Sequence, residues 1–135
     1  MVVPTLFIGG EAIGETVISC GASKGYSFFL QNSSLDYDAG WSEDGISNGK
    51  IILVKEGEDF DILFDDIIGG YGYREDGADV FMLGLQNGKI TILIVHYNYS
   101  DLYTFDLLNN EVVWASQKIA PHLVNKGSLF RADCE

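Results

Sequence analysis

Two short stretches of this sequence match motifs that carry chemistry in other proteins. Residues 9–16 (GGEAIGET) nearly fit the phosphate-binding pattern G-x-x-x-x-G-K-[ST], but Glu15 stands where a lysine has to reach the phosphates, and a carboxylate would repel them. Residues 21–25 (GASKG) fit G-x-S-x-G, the pattern of a hydrolase nucleophile at a sharp turn from a strand into a helix. The residues that follow, 26–30, have the composition of a strand, so we interpret this match as an ordinary turn.

His96 is the residue around which a small active site or ligand pocket could form. Tyr97 and Tyr99 follow it, and Asp101 and Asp106 supply carboxylates within ten residues. A histidine among aromatic and acidic side chains can act as a general acid or base, or can bind a ligand. A small enzyme or ligand-binding β domain with a pocket near His96 is therefore our alternative hypothesis, and it requires a cavity beside that side chain.

Metal-ligating patterns are weak along the chain. There is no H-x-x-x-H pair and no C-x-x-C pair, so the sequence predicts neither a metal site nor a bound cofactor. Residues 36–45 (DYDAGWSEDG) hold four carboxylates, but Trp41 occupies the position that an EF-hand loop reserves for glycine. A looser calcium site and a solvated acidic loop both stay open for this segment, and the solvated loop is favoured.

Negative charge is concentrated in one third of the chain. Residues 36–79 carry thirteen acidic and three basic side chains, which is −10 of the total formal charge of −12. Tyrosine and tryptophan are interleaved with these acids. The combination suits a protein–protein interface, because acids speed the encounter with a basic surface and aromatic rings provide buried anchors. The predicted partner-binding residues are Asp36, Asp38, Trp41, Glu43, Asp44, Asp59, Asp61, Asp65, Asp66, Tyr71, Tyr73, Glu75 and Asp76.

The same charge excludes some classes of partner. Nucleic acids and anionic membranes are both bound through basic side chains, so we expect direct contact with neither. The expected partner is a basic protein, such as a toxin or a nucleic-acid-binding protein, bound by a monomer or homodimer of this chain. Inhibitory binding is favoured over catalysis, and we predict that the protein is not an enzyme.

The cysteines and the N-terminal residues bear on the compartment. Cys20 and Cys134 do not make a disulfide framework, so we expect a buried thiol at Cys20 and a mobile one at Cys134, although a bridge between them stays open. The N-terminal residues lack the basic start of a secretion signal, and no apolar run reaches the ~20 residues of a membrane span. The expected location is the cytoplasm.

In size, charge and β-rich character the whole chain resembles small acidic immunity proteins of bacteria, which neutralise secreted toxins. Residues 76–123 also resemble part of the SMI1/Knr4 immunity superfamily, with Glu75-Asp76-Gly77 before a hairpin and Ile119-Ala120 opening a last helix. The resemblance implies an immunity protein that neutralises a basic toxin or nuclease. It carries no individual residue over.

The elements that would position these residues are mainly strands of one domain, residues 1–135. The strongest local signal is Asn87-Gly88 between the apolar runs 80–85 and 90–95, which predicts a β-hairpin with a type I′ turn. A second hairpin is predicted to join residues 102–107 to 111–115. Further strands are predicted at 5–8, 16–20, 25–31, 51–54 and 60–65, loops at 32–48 and 69–73, and a helix in the tail from Ser116. The predicted fold is mostly β (a β-rich α+β class), an antiparallel meander of hairpins forming a sheet or sandwich, with room for a short C-terminal helix.

Overall fold

The part of the chain that the structure describes is organised into ten β-strands. A computed structural model describes residues 15–31, 38–46, 49–66, 69–120 and 124–135. The strands are β1 (Glu15–Phe29), β2 (Gly40–Ile46), β3 (Lys50–Glu56), β4 (Asp59–Asp66), β5 (Gly69–Gly72), β6 (Asp79–Gln86), β7 (Lys89–His96), β8 (Tyr99–Asp106), β9 (Glu111–Ile119) and β10 (Asn125–Cys134). These described ranges contain no helix, and therefore none that is long and apolar enough to cross a bilayer.

The strands pair antiparallel in one sheet with the order β5-β4-β3-β1-β10-β9-β8-β7-β6. Strand β2 lies off this path, because the long β1 pairs along one edge with β3 through residues 15–20 and with β2 through residues 23–29. The sheet curls into a half-barrel. Arg74 bridges the end strand β6 and β4, the strand next to the opposite end, since the guanidinium donates to the carbonyl oxygen of Phe60 in β4 at 3.0 Å and to that of Val80 in β6 at 3.3 Å.

Both hairpins predicted from the sequence are confirmed. The turn between β6 and β7 has Asn87 at φ 55° and Gly88 at φ 74°, the left-handed conformation that a type I′ turn requires at both positions. The turn between β8 and β9 has Asn110 at φ 53°, and the Asp106 carboxylate accepts a hydrogen bond from the backbone N–H of Asn109 at 3.1 Å. The predicted mostly-β class built from antiparallel hairpins is therefore confirmed.

Three connecting segments differ from the prediction. The tail from Ser116 is not helical, because β9 continues to Ile119 and β10 returns along it from Asn125. Pairing on both sides, with β8 and with β10, holds this segment extended. Part of the predicted loop 32–48 forms β2, and residues 69–72 of the predicted loop 69–73 form β5. The strand predicted at 5–8 lies outside the described residues.

Cys20 and Cys134 are joined by a disulfide, which corrects the expectation of two separate thiols. The two residues are cross-strand partners of β1 and β10, with their Cα atoms 3.8 Å apart. Their separation of 114 residues along the chain concealed the pairing. The contact arises because the antiparallel pairing of β1 with β10 brings the end of the chain back beside Cys20.

Candidate ligand-binding site

Strands β7 to β10 present four parallel rows of side chains on one face, because cross-strand partners in an antiparallel sheet point to the same side. The first row is Ile90, Phe105, Val112 and Ala132, and the second is Ile92, Tyr103, Trp114 and Phe130. The third row is Ile94, Asp101, Ser116 and Ser128, and the fourth is His96, Tyr99, Lys118 and Lys126. This face therefore changes from apolar core to aromatic, then polar, then charged.

An open cavity of about 390 Å³ lies where the second to fourth rows face the opposite half of the curled sheet. The buried residues of its lining are Ser23, Ile51, Tyr73, Asp101, Tyr103 and Trp114. More exposed lining residues include Asp44, Lys50, Asp65, Tyr71, Asp76, Tyr99 and Lys118. The volume falls at the lower end of the roughly 300–1,000 Å³ that is typical of ligand pockets.

A ladder of aromatic rings forms the apolar wall of the cavity. Trp114 stacks on Tyr103 with centroids 5.2 Å apart and contacts Phe130 at 5.2 Å. The partner of Phe130 on β1 is Gly25, where a Cβ atom would stand 2.0 Å from the carbonyl oxygen of Leu129 and 2.8 Å from the Phe130 ring. Glycine at this position therefore makes room for the ladder.

A chain of hydrogen bonds connects two tyrosines to a buried carboxylate. Tyr73 Oη donates to Asp101 Oδ2 at 2.5 Å, and it lies 2.6 Å from Tyr103 Oη. A phenol has one proton, and Tyr73 gives its proton to the carboxylate, so Tyr103 is the donor to Tyr73. Tyr103 Oη is then left with acceptor lone pairs only. Asp101 Oδ1 is buried and has no hydrogen-bond partner among the described residues.

The environment of Asp101 opposes its ionisation only in part. Burial raises the pKa of Asp101 above its usual value, while Ser116, Tyr73 and Lys118 act in the opposite direction. Burial also raises the pKa values of Tyr73 and Tyr103 well above the usual phenol value, so both stay protonated at neutral pH. A hydrogen bond from Ser116 and the charge of Lys118 act on the Asp101 carboxyl, and its Oδ1 has no partner within normal hydrogen-bond geometry among the described residues.

Two other carboxylates of the lining already have partners. Asp44 accepts hydrogen bonds from Lys126 Nζ at 2.5 Å and from Ser27 Oγ at 2.7 Å. Burial acts to raise the pKa of Asp44, but these bonds outweigh it and hold the pKa below its usual value. Asp76 accepts a hydrogen bond from Tyr99 Oη at 2.5 Å. Among the lining carboxylates that the structure describes, Asp101 is the one with a buried oxygen that has no donor.

His96 lies beside this cavity and does not line it. Its ring stacks on Tyr99 at 4.4 Å and on Tyr97 at 4.5 Å, and its Nδ1 accepts a hydrogen bond from the backbone N–H of Asn98 at 3.1 Å. Tyr99 and Asp101, from the same predicted segment, do line the cavity. His96 is therefore placed to orient the Tyr99 ring, and not to exchange protons with a bound molecule.

The predicted partner-binding residues are distributed between the cavity and the exposed surface. Asp44, Asp65, Tyr71, Tyr73 and Asp76 line the cavity. Asp38, Trp41, Glu43, Asp59 and Glu75 are exposed. Asp61 is buried, accepts a hydrogen bond from the N–H of Ile62 at 2.8 Å and has a pKa raised by burial. Asp36 lies outside the described residues, and Asp66 ends β4.

Sequence reasoning missed Tyr103, Trp114, Ser116 and Lys118 as lining residues. The signal was a period of two, since Tyr99, Asp101 and Tyr103 alternate along β8, and Trp114, Ser116 and Lys118 alternate along β9. The helix predicted from Ser116 interrupted that pattern and hid its second half.

The G-x-S-x-G match does not form the turn that its chemistry requires. Residues 21–25 lie inside β1 instead of at a turn, and the hydroxyl of Ser23 accepts a hydrogen bond from the N–H of Ile46 at 3.0 Å. Most of the match at 9–16 lies outside the described residues. No nucleophile elbow is therefore present at Ser23.

Comparison with known proteins returned no relative. The chain matches no protein-family model, no curated protein and no solved structure.

Proposed function

We propose that this protein is a binding protein that takes a small molecule, or one side chain of a larger molecule, into the cavity of its curled sheet. The observation that carries the proposal is Asp101 Oδ1, a buried carboxylate oxygen without a donor in an aromatic-lined cavity. Leaving such an acceptor unsatisfied costs roughly 1–3 kcal/mol. A ligand that brings a donor recovers this free energy, which favours binding at this place.

The lining favours recognition over catalysis. Among the described lining residues there is no histidine and no cysteine. The phenols of Tyr73 and Tyr103 have raised pKa values and do not act as bases at neutral pH. Aromatic walls with a few converging polar groups are typical of sites that bind a small molecule.

Tryptophan fluorescence can test this proposal, because the chain has two tryptophans with different surroundings. Trp114 lines the cavity, whereas Trp41 is 76% exposed. In a Trp41→Phe background the emission therefore reports on the cavity. We expect a saturable change in emission with a subset of a fragment library.

The matched control is Ser116→Leu, which fills part of the cavity and should remove that response while the far-ultraviolet circular dichroism keeps its strand signal. If no fragment gives a saturable response that Ser116→Leu removes, the proposal is wrong.

Inhibition of a basic protein is a second candidate function, favoured by the exposed acids at one end of β4. The turn between β3 and β4 exposes Glu58 and Asp59, and the hydrogen bond from Arg74 to Phe60 brings the acidic segment that contains Glu75 to the same end. Acids clustered in this way would steer a basic partner and would do so less at high salt.

The test of the second candidate is surface plasmon resonance at two ionic strengths against a partner captured at low salt. We expect Glu58→Lys with Asp59→Lys to lower the on-rate strongly at low salt and little at high salt. An on-rate that responds neither to salt nor to the double reversal would contradict the inhibitory role.

A further inference from the structure

We infer that the ligand of this cavity carries a primary ammonium group, bound at Asp101 Oδ1 beside Tyr103 Oη. The inference rests on the proposed binding function and specifies the chemical class of the ligand. Three features support it: the acceptors without a donor at the buried end of the cavity, the single free oxygen of Asp101, and the net negative charge of the lining.

The buried end of the cavity offers acceptors to a ligand. Tyr73 donates its one hydroxyl hydrogen bond to Asp101 Oδ2, and Tyr103 donates its own to Tyr73 Oη. Asp101 Oδ1 therefore has no donor, and Tyr103 Oη, which is bonded to Tyr73, can still accept a hydrogen bond. A carboxylate or phosphate would bring more acceptors to the same place and leave all of them unsatisfied, so an anionic group is disfavoured there.

The stereochemistry of Asp101 selects among cations. A guanidinium binds a carboxylate best through two parallel hydrogen bonds, but Asp101 has one free oxygen because Tyr73 occupies the other. A quaternary ammonium has no N–H and would leave Oδ1 unsatisfied. A primary ammonium is compact and has three donors that can be aimed independently, so it can satisfy a single oxygen and a neighbouring phenol.

The remaining lining suits the rest of such a ligand. The faces of Tyr73, Tyr99 and Trp114 attract a cation and pack against an alkyl chain. Four carboxylates and three ammonium groups line the cavity, which leaves a net charge of −1, and the chain as a whole carries −12. Both charges raise the local concentration of cations.

The side-chain ammonium of Lys118 competes with a ligand ammonium for the charge of Asp101. Its row is next to that of Asp101 on β9 and β8, and its positive charge lowers the pKa of that carboxyl. Lys118 makes no ion pair within 4.0 Å among the described residues, so it compensates Asp101 only at a distance. Lys118→Met keeps the apolar stem and removes the charge, and it should therefore strengthen the binding of an ammonium ligand.

The experiment compares four probes of similar length on the protein with intact disulfide, by isothermal titration calorimetry. The probes are n-pentylammonium, pentyltrimethylammonium, n-butylguanidinium and pentanoate. We expect n-pentylammonium to bind about tenfold or more tightly than each of the others, because pentyltrimethylammonium and pentanoate cannot donate a hydrogen bond to Asp101 and n-butylguanidinium cannot pair both of its parallel donors with the single free oxygen.

Three variants test whether Asp101 is the residue that binds n-pentylammonium. Asp101→Asn keeps an acceptor for Tyr73 and should weaken n-pentylammonium binding about tenfold or more. Asp65→Asn removes the same charge from an exposed lining position and should change the affinity by less than about threefold, because that charge is screened by solvent. Lys118→Met should tighten binding. Thermal melts of each variant establish that it is folded.

The ammonium could come from a free amine or from a lysine side chain of a protein, and a short peptide separates the two sources. A lysine-containing pentapeptide that binds more tightly than n-pentylammonium identifies a protein partner, and a weaker one identifies a free amine. Preference for pentanoate or the trimethyl compound, or an Asp101→Asn variant that binds n-pentylammonium unchanged, overturns the inference. Those outcomes do not contradict the proposed binding function. That proposal fails only if the cavity binds no ligand.

Discussion

Removal of the Cys20–Cys134 disulfide is expected to lower the free energy of unfolding by about 4.8 kcal/mol. The bond closes a loop of 114 residues. The chain-entropy relation for a loop of that length gives about 16 cal/mol/K, or about 4.8 kcal/mol at 25 °C, from the restriction that the bond places on the unfolded chain. Domains are stable by only about 5–15 kcal/mol in total, so this single bond is a large fraction.

Urea unfolding followed by tryptophan fluorescence measures this effect. With a slope of about 2 kcal/mol per molar urea, loss of the bond should lower the midpoint by about 2 M. The wild type with dithiothreitol and the double variant Cys20→Ala with Cys134→Ala should show similar midpoints. Reductant should leave the midpoint of the double variant unchanged, which makes that variant the control for other effects of dithiothreitol.

Two results would refute this reasoning. If thiol titration of the unfolded, unreduced protein finds two free thiols, the bond does not form. If the bond is present but reduction changes stability by less than about 1 kcal/mol, loop closure is not what stabilises the fold. The same titration on protein taken from its own cell also tests the compartment, since a stable disulfide favours an oxidising one over the predicted cytoplasm.

Three further predictions follow from single positions. Gly25→Ala should lower the thermal midpoint by about 10 °C, because its Cβ would meet backbone at 2.0 Å, while Gly21→Ala on the same strand meets nothing within 4 Å and should change it little. Asn87→Ala should lower the free energy of unfolding in urea by about 1 kcal/mol, because φ at this position is 55° and alanine disfavours positive φ. Asn87→Gly should lower it by almost nothing, and equal effects of the two substitutions would contradict the turn assignment. The pKa of Asp101 is raised in the folded protein, so its protonated carboxyl adds to the free energy of unfolding below the usual carboxyl pKa. This contribution is lost as the pH rises through the pKa of the folded state. Asp101→Asn should therefore gain thermal stability relative to the wild type between about pH 3 and pH 7, and a constant difference would count against a buried, ionising Asp101.

The sequence by itself determined the features that depend on neighbouring residues. Asn87-Gly88 specifies a type I′ turn because only residues that tolerate positive φ can occupy both of its central positions. The apolar runs 80–85 and 90–95 on either side of this turn then specify two paired strands. Strand class, hairpin positions and the concentration of acids between 36 and 79 are local properties, and they were readable without the fold.

Tertiary structure alone decided which of these residues meet. The pairing of β1 with β10 brings Cys20 to Cys134 across 114 residues, and no local pattern encodes that pairing. Ser116 and Lys118 stay extended because strands on both sides hold them, which overrides the helical appearance of the tail. Asp101 looks like any other acid in the sequence, and only the curl of the sheet buries it against Tyr73, which lies in the turn after β5. Period-two alternation tells which side chains share a face, but the curvature of the whole sheet decides which side chains face each other across a cavity.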